Sequence, residues 1–427
     1  MQIALTNNNL KDGIDMAVAI ARTTYRDHLP NYSATSIAND NNINILLDIL
    51  RSGHHSVLQH INITLNISGI SKLLTMLVLH NHPFYTSTQT SQSFTELDIN
   101  MDCVQGYNKY KEYLLKAKDT YATLLSTQPP SGLNRFQNKK FKVALRNIAR
   151  YVLPIGLHTN VVHTINLTTY LRYIVIAKNI SELGDEGELF SLLLQDELIN
   201  IDSRYSILID YVLTQNKHTN KFIIFNKQNI IKGSVSLSAI PSIETITRIK
   251  TAETNTLDLH THLPITDIMY KTGFKLTSVA FAQLQRHRAN TILLSEYLQP
   301  DYSIIKDFIT NLTHLSNDDK IRLISLVDEL IVITPTIDNN NLHVAPSAIV
   351  FTGNISGYIT ALSHDAKLRL CHTAQPEIRK FYQIVKSIAP TQLTELMNPP
   401  CVYRYKNDIT PFCTEGKRFC GVKVWKE

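Results

Sequence analysis

The sequence predicts an α+β chain made of two similar halves, and three features of its patterning carry that prediction. Helical and alternating hydrophobic periods follow one another within short stretches, so helices and strands share domains rather than segregating. A polar, Asn/Lys-rich passage at residues 215–236, "QNKHTNKFIIFNKQNIIKGSVS", interrupts the chain near its middle. The elements after that passage repeat the order of those before it, which points to a duplication. A length of 427 residues suggests two or three domains, and we expect a first domain over residues 1–215 and a second over 216–427.

In "DGIDMAVAIAR" (12–22), Ile14, Ala17, Val18 and Ala21 fall on one helical stripe. Residues 43–52 repeat the pattern with Leu46, Leu47 and Leu50, and Gly53 stands where a helix would be capped. Ile61, Ile63, Leu65 and Ile67 then alternate with polar residues, as a half-buried strand requires. Ile70, Leu73, Leu74, Leu77 and Val78 return to helical spacing. In the second half, "ITDIMYKTGF" reads as a strand and leads into a helix that ends at Arg286. A late helix from Pro376 carries Ile378, Phe381, Tyr382, Val385 and Ile388 on one face, with proline acceptable at its first position.

The composition is that of a globular protein, 44% hydrophobic and 18% charged. Its net charge of +6 is spread along the chain without a run of five basic residues, which argues against duplex nucleic acid as a partner and suits a compact anion, although a solvated surface would explain it equally. Five cysteines in so long a chain argue for a reducing compartment. The start lacks a signal-peptide pattern and no apolar run is long enough to span a membrane, so the expectation is a cytoplasmic protein without membrane partners.

The segment "FAQLQRHRANTILLSEYLQP" (281–300) sets Arg286, His287 and Arg288 side by side before an abrupt apolar run at Ile292, Leu293 and Leu294. A basic triplet can be a solvated helix end favoured by the helix dipole. Four more segments weigh against that: "SGHHSVLQHINITLNISGISKLL" (52–74), "TQTSQSF" (88–94), "ARYVLPIGLHTNVVHTIN" (149–166) and "RLCHTAQPEIR" (369–379). Together the five resemble the motifs of flavin-dependent thymidylate synthases: R-H-R-x-x-S-x-N-E-x-S-x-R-Y, G-H-E-[ST]-x-x-E-H, A-R-x-V-L-P and A-Q-W-E-I-R. They need two copies of the family domain, so the chain resembles two tandem domains, each an antiparallel sheet packed with helices.

The departures divide between the halves. The first half has His80-Asn81-His82-Pro83 in place of R-H-R, and Ala177 followed by Lys178 where the family has its activating arginine. The second half has Leu293, Leu294, Glu296 and Leu298 in the tail of the signature, and "VAPSAIVF" (344–351) in place of A-R-x-V-L-P. The second half thus keeps Gln283, Arg286 and Arg369, and the first keeps Gln89, Ser91 and Arg150. The resemblance implies that the two sets form one composite site per chain, in a homodimer that mimics the family's homotetramer. Ser93, where the family has arginine, is a loss in that set.

Through the resemblance, Arg369 is the catalytic candidate, lying against the uracil edge where negative charge develops. Gln283, Arg286, Gln89, Ser91 and Arg150 are candidates for dUMP, with Gln283 and Arg286 three apart on a helix. Arg286, His287, Arg288, Ser56, Gln59 and Asn166 are candidates for FAD, and His54 for folate. A guanidinium is a rigid fork suited to phosphates and carbonyls. The implied reaction is reductive methylation of dUMP to dTMP, with FAD as cofactor, NADPH and methylenetetrahydrofolate as co-substrates, no nucleophilic cysteine and no metal. His54, His55 and His60, like His260 and His262, read as surface or core residues rather than metal ligands. Arg150 could instead close a helix in an ion pair. Cys401, Cys413 and Cys420 resemble C-terminal cysteines of some family members and suggest a structural role. Two other functions stay open: a decayed paralogue acting as a nucleotide- or FAD-binding protein or scaffold, and one-carbon transfer to another uracil nucleotide.

Overall fold

The computed structural model describes residues 1–6, 10–25, 39–92, 99–216, 225, 229–252, 266–413, 415–416 and 419–424. Ser93, His260 and His262, and much of the polar passage at 215–236, lie outside the described residues. The chain forms two compact units. The first comprises residues 1–80, 84–223 and 328–345, and the second residues 81–83, 224–327 and 346–427.

Unit 1 holds an antiparallel sheet of four strands, β1 (Gln2–Leu5), β2 (Asn62–Ser71), β3 (Thr86–Gln89) and β4 (His158–Asn166), in the order β1-β2-β4-β3. The alternation read from the sequence is realised in β2, where Ile63, Leu65 and Ile67 are buried and Asn62 and Asn66 are exposed. Helices α1 (Gly13–Arg22) and α2 (Asn42–Arg51) bury Ile14, Ala17, Val18, Leu46, Leu47 and Leu50. Gly53 takes φ +86°, the left-handed backbone that a helix stop favours. Helices α3 (Lys111–Ser126) and α4 (Arg135–Ala149) follow, with Asn134 and Gln137 forming a capping box on α4. After β4 come α5 (Leu167–Asn179), α6 (Asp185–Ile201) and α7 (Tyr205–Gln215).

Unit 2 repeats the plan. Its strands β5 (Val235–Leu237), β6 (Met269–Thr277), β7 (Thr291–Leu298) and β8 (Val350–Tyr358) run antiparallel in the order β5-β6-β8-β7. Helix α8 (Ile243–Ala252) precedes β6, α9 (Ser278–Leu284) follows it, and α10 (Ser303–Thr310) follows β7. Helix α11 (Asn317–Ile333) comes next, its residues from Asp328 onward belonging to unit 1. After β8 come α12 (Ile359–Arg369), α13 (Pro376–Ile388) and α14 (Pro400–Lys406). Pro376 opens α13, and the Gln375 side chain caps it by accepting from the Ile378 N–H.

Two local readings need revision. Ile70 lies within β2 rather than opening a helix, and only Lys72–Leu74 is α-helical before Thr75–Leu79 widens into a π-type turn. All five residues of that turn are buried, so apolar spacing alone does not distinguish it from an α-helix. In unit 2, α9 stops at Leu284, so Arg286 lies in the turn beyond the helix and is not held on one helical face with Gln283. The apolar run at Ile292–Leu294 enters β7, where Leu294 is buried and Leu293 is exposed.

One device recurs in both units. Ser71 ends β2 and caps the next turn by accepting from the Leu74 N–H. Glu186, second residue of α6, accepts from the Ser71 N–H at 2.6 Å and from its hydroxyl at 2.5 Å. Thr277 ends β6 and caps α9, and Glu377, second residue of α13, accepts from its N–H at 2.7 Å and its hydroxyl at 2.6 Å. An acid in the first turn also meets the positive end of its own helix.

Candidate functional site

A polar cluster in unit 2 is built where the turn after α9 meets the end of α12. Arg369, the last residue of α12, donates from Nε to His287 Nε2 at 2.6 Å, from Nη1 to Gln283 Oε1 at 3.1 Å and from Nη2 to the Gln283 carbonyl at 3.0 Å. His287 Nδ1 is 2.7 Å from Asp365 Oδ1, and both side chains are buried. Asn290 Nδ2 donates to Asp365 Oδ2, and the Tyr382 hydroxyl reaches the same oxygen at 3.3 Å. Tyr270 donates to Asn290 Oδ1 at 3.0 Å.

Burial lowers Arg369 below the usual arginine range; Tyr382 and Asp365 oppose that shift, and Arg286 adds to it. Burial pushes the Tyr382 and Tyr270 hydroxyls well up, with Asp365 adding to both, so they serve as neutral donors. Arg286 and Arg288 are exposed while His287 between them is buried. The turn therefore anchors by its histidine and presents its two arginines outward. Of the expected unit 2 residues, Gln283, His287 and Arg369 are joined directly and Arg286 lies within electrostatic reach.

In unit 1 the expected residues fall into four places. Gln89 closes β3 and donates from Nε2 to Thr159 Oγ1 on β4 at 3.3 Å, and Ser91 is partly buried just beyond it. Arg150 is 8% exposed in a tight turn, Arg150–Val152. Within reach of both Gln92 and the Arg150 charge is Lys72, which the sequence reading passed over. Its Nζ donates to Gln92 Oε1 at 2.6 Å, and burial first and the Arg150 charge second pull it down to about 7. Two cations sharing one partly enclosed region disfavour each other's charge and favour an anion between them. The "GISK" of the strand end was the available signal, and a lone lysine after a strand does not stand out.

Asn166 is the N-cap of α5, its side-chain oxygen accepting from the Thr169 N–H at 2.9 Å, so that oxygen is committed to the helix. His54, Ser56 and Gln59 are exposed around the short turn His55–His60. Where the family has R-H-R, His80 is buried, 3.0 Å from Ser87 Oγ and stacked on Tyr85, which stacks on His163. His163 Nε2 is 2.9 Å from the Tyr173 hydroxyl. Ala177 is fully buried. The five cysteines are free thiols, partly buried, and Cys401 is pushed up to about 11 by burial and then by Cys371 and Cys413. Among the described residues no group of three or more His, Cys, Asp or Glu is placed to hold a metal ion, and no helix is long and apolar enough to cross a membrane.

Residues 5–179 match the family model of the thymidylate synthase complementing protein. The similarity to that family is partial. The crystal structure of thymidylate synthase X from Helicobacter pylori with FAD and dUMP is 16% identical; the alignment covers 50% of this chain and 99% of that one, with a TM-score of 0.31. No curated protein matches the chain.

Proposed function

We propose that this protein binds a nucleotide and a flavin through its clustered arginines, as a catalytically altered relative of the thymidylate synthase complementing proteins. The observation that carries this reading is the state of Arg369. Three of its five N–H groups are committed to His287 and Gln283, which leaves two for a ligand among the described residues. A guanidinium fixed on three sides is a preorganised fork for a phosphate or a carbonyl edge. The exposed Arg286 and Arg288 on the adjoining turn suit the diphosphate of FAD.

This donor set fits FAD: Arg286 and Arg288 would hold its phosphates while Gln283 and Arg369 orient a uracil-type edge. Bound FAD would supply hydride chemistry. In unit 1, Arg150, Lys72 and Gln92 would take a phosphate. Lys72 would then gain a counter-charge and with it a proton.

A second reading, turnover of dUMP to dTMP with methylenetetrahydrofolate and NADPH, is favoured by the retention of both Arg150 and Arg369. Calorimetry with FAD and with dUMP, followed by a dTMP assay on the same preparation, separates the two. Binding without dTMP supports the altered relative, dTMP formation supports the enzyme, and failure to bind either ligand sinks both. The expected homodimer is checked by light scattering on that sample.

A further inference from the structure

We infer that Asp365 is a positioning residue: it fixes the His287 ring in the one tautomer against which Arg369 can dock, and so sets the direction of the Arg369 guanidinium. The inference rests on the proposed function for the ligand that Arg369 meets; its hydrogen-bond logic stands on unit 2 alone.

An arginine N–H can only donate, so His287 Nε2, 2.6 Å from Arg369 Nε, must be an acceptor. The ring proton is then on Nδ1, where Asp365 Oδ1 accepts it at 2.7 Å. Asp365 is 1% exposed, and burying the oxygens of a carboxyl group is costly unless donors surround it. They do: His287 on one oxygen, Asn290 and Tyr382 on the other. Tyr270 donates to the Asn290 oxygen and thereby turns the Asn290 NH2 toward the acid. Each donor chain, from Arg369 through His287 and from Tyr270 through Asn290, ends on the same carboxylate.

The backbone explains why one residue can do this. Asp365 and Arg369 are four apart on α12 and share a face. They do not pair directly; the His287 imidazole stands between them, and the turn carrying Arg286 and Arg288 is gripped at His287 and again at Asn290. Asp365 thus orders both the fixed arginine and the turn bearing the two exposed ones.

The test is Asp365→Asn in the full chain. The two donors on the Oδ2 side, Asn290 and Tyr382, draw an asparagine's carbonyl oxygen to that side, which turns its NH2 toward His287 Nδ1 and takes away the acceptor of the Nδ1–H. With isotopically labelled histidine, nitrogen–proton correlation spectra report the tautomer of each ring, and His287→Gln identifies the signal. The expected result is an Nδ1–H ring in the native protein, and an Nε2–H or mixed ring in Asp365→Asn. FAD or dUMP affinity should fall about ten-fold or more. Asn290→Ala, which leaves the Oδ1 contact intact, should keep the tautomer and lose less affinity. An Nε2–H ring in the native protein overturns the inference, as does an unchanged ring in a folded Asp365→Asn. Should Asp365→Asn not fold, the native spectrum together with Asn290→Ala decides. If the native protein binds neither ligand, the functional reading falls while the tautomer still judges the role of Asp365.

Discussion

The two units share a frame and differ in what the frame encloses. Both order their strands alike, and both clamp the residue that ends the second strand of the sheet with a glutamate from the second position of a later helix. The helices after β4 and β8 can be aligned residue by residue, since each follows a nine-residue strand directly. Their seventh residues are Tyr173 and Asp365; their eleventh are Ala177 and Arg369. In unit 1 the seventh position joins His163, with Tyr85 and His80 stacked beyond it. In unit 2 it anchors His287 and Asn290. The cations have divided as well. Lys72 and Arg150 stand in the first half of the chain, where the second half has Ser278 after its clamp and Leu342 in the matching turn. The frame is thus alike in the two units, while the charged residues on it differ.

An exchange at the eleventh position should break that comparison most sharply. Ala177 is fully buried, and a Cβ added to Gly187 would come within 2.3 Å of the Ala177 carbonyl, so α5 and α6 pack there without room for a side chain. Ala177→Arg would overpack this contact and bury a charge, at a cost of about 3–5 kcal/mol. Arg369→Ala removes three hydrogen bonds at a partly exposed site and should cost about 1–3 kcal/mol. Urea denaturation of both variants gives the two numbers. An Ala177→Arg protein as stable as the native one would show that unit 1 still has space for the arginine, and the contrast would fail.

How much of this could be read beforehand depends on whether a residue's role is local. The strand at Ile63–Ile67, the helices at 13–22 and 42–51 and the proline-started helix at 376 all follow from spacing and caps, because those signals lie within one turn or one strand. Gln283, His287 and Arg369 were legible as a set through their motifs, and the structure joins them. Their partners were not legible. Asp365 and Asn290 are ordinary polar letters in "LSHDAKLR" and "RHRANT", and only the fold brings them together across 75 positions. Lys72 escaped for the same reason, its partner Gln92 lying on the far side of β3. The end of α9 before Arg286 was also missed, since neither glycine nor proline marks it.

The glutamate clamps sharpen the comparison at intermediate scale. Glu377→Ala strands the Thr277 N–H and hydroxyl, and Glu186→Ala strands those of Ser71. Charge-assisted bonds of this kind are worth about 1.5–3 kcal/mol in all, so similar losses are expected in the two units. Glu186 also stands 2.9 Å from Nε2 of the buried His343, so its removal should cost about 1 kcal/mol more. Chemical denaturation measures both. A loss in one variant and none in the other would mean that the clamp supports only one unit.

The smallest effect concerns the cations of unit 1. Lys72 is held down to about 7, by burial and then by Arg150, against an ordinary lysine value of 10.5. Between those two values the unfolded chain carries a proton that the folded chain does not, so stability should rise with pH across that window. Below about 7 both states are protonated and the folded state bears the whole penalty. Lys72→Met should therefore be more stable than the native protein at pH 6, by about 1 kcal/mol after allowance for solvent reaching a partly exposed side chain, and should lose that advantage above 10.5. A phosphate ligand beside Lys72 and Arg150 would favour the charged lysine and flatten the native slope. The pH dependence of the denaturation midpoint, with and without dUMP, measures this. A slope that dUMP leaves unchanged while it binds elsewhere would take the phosphate away from unit 1 and leave the anion-binding role to the arginines of unit 2.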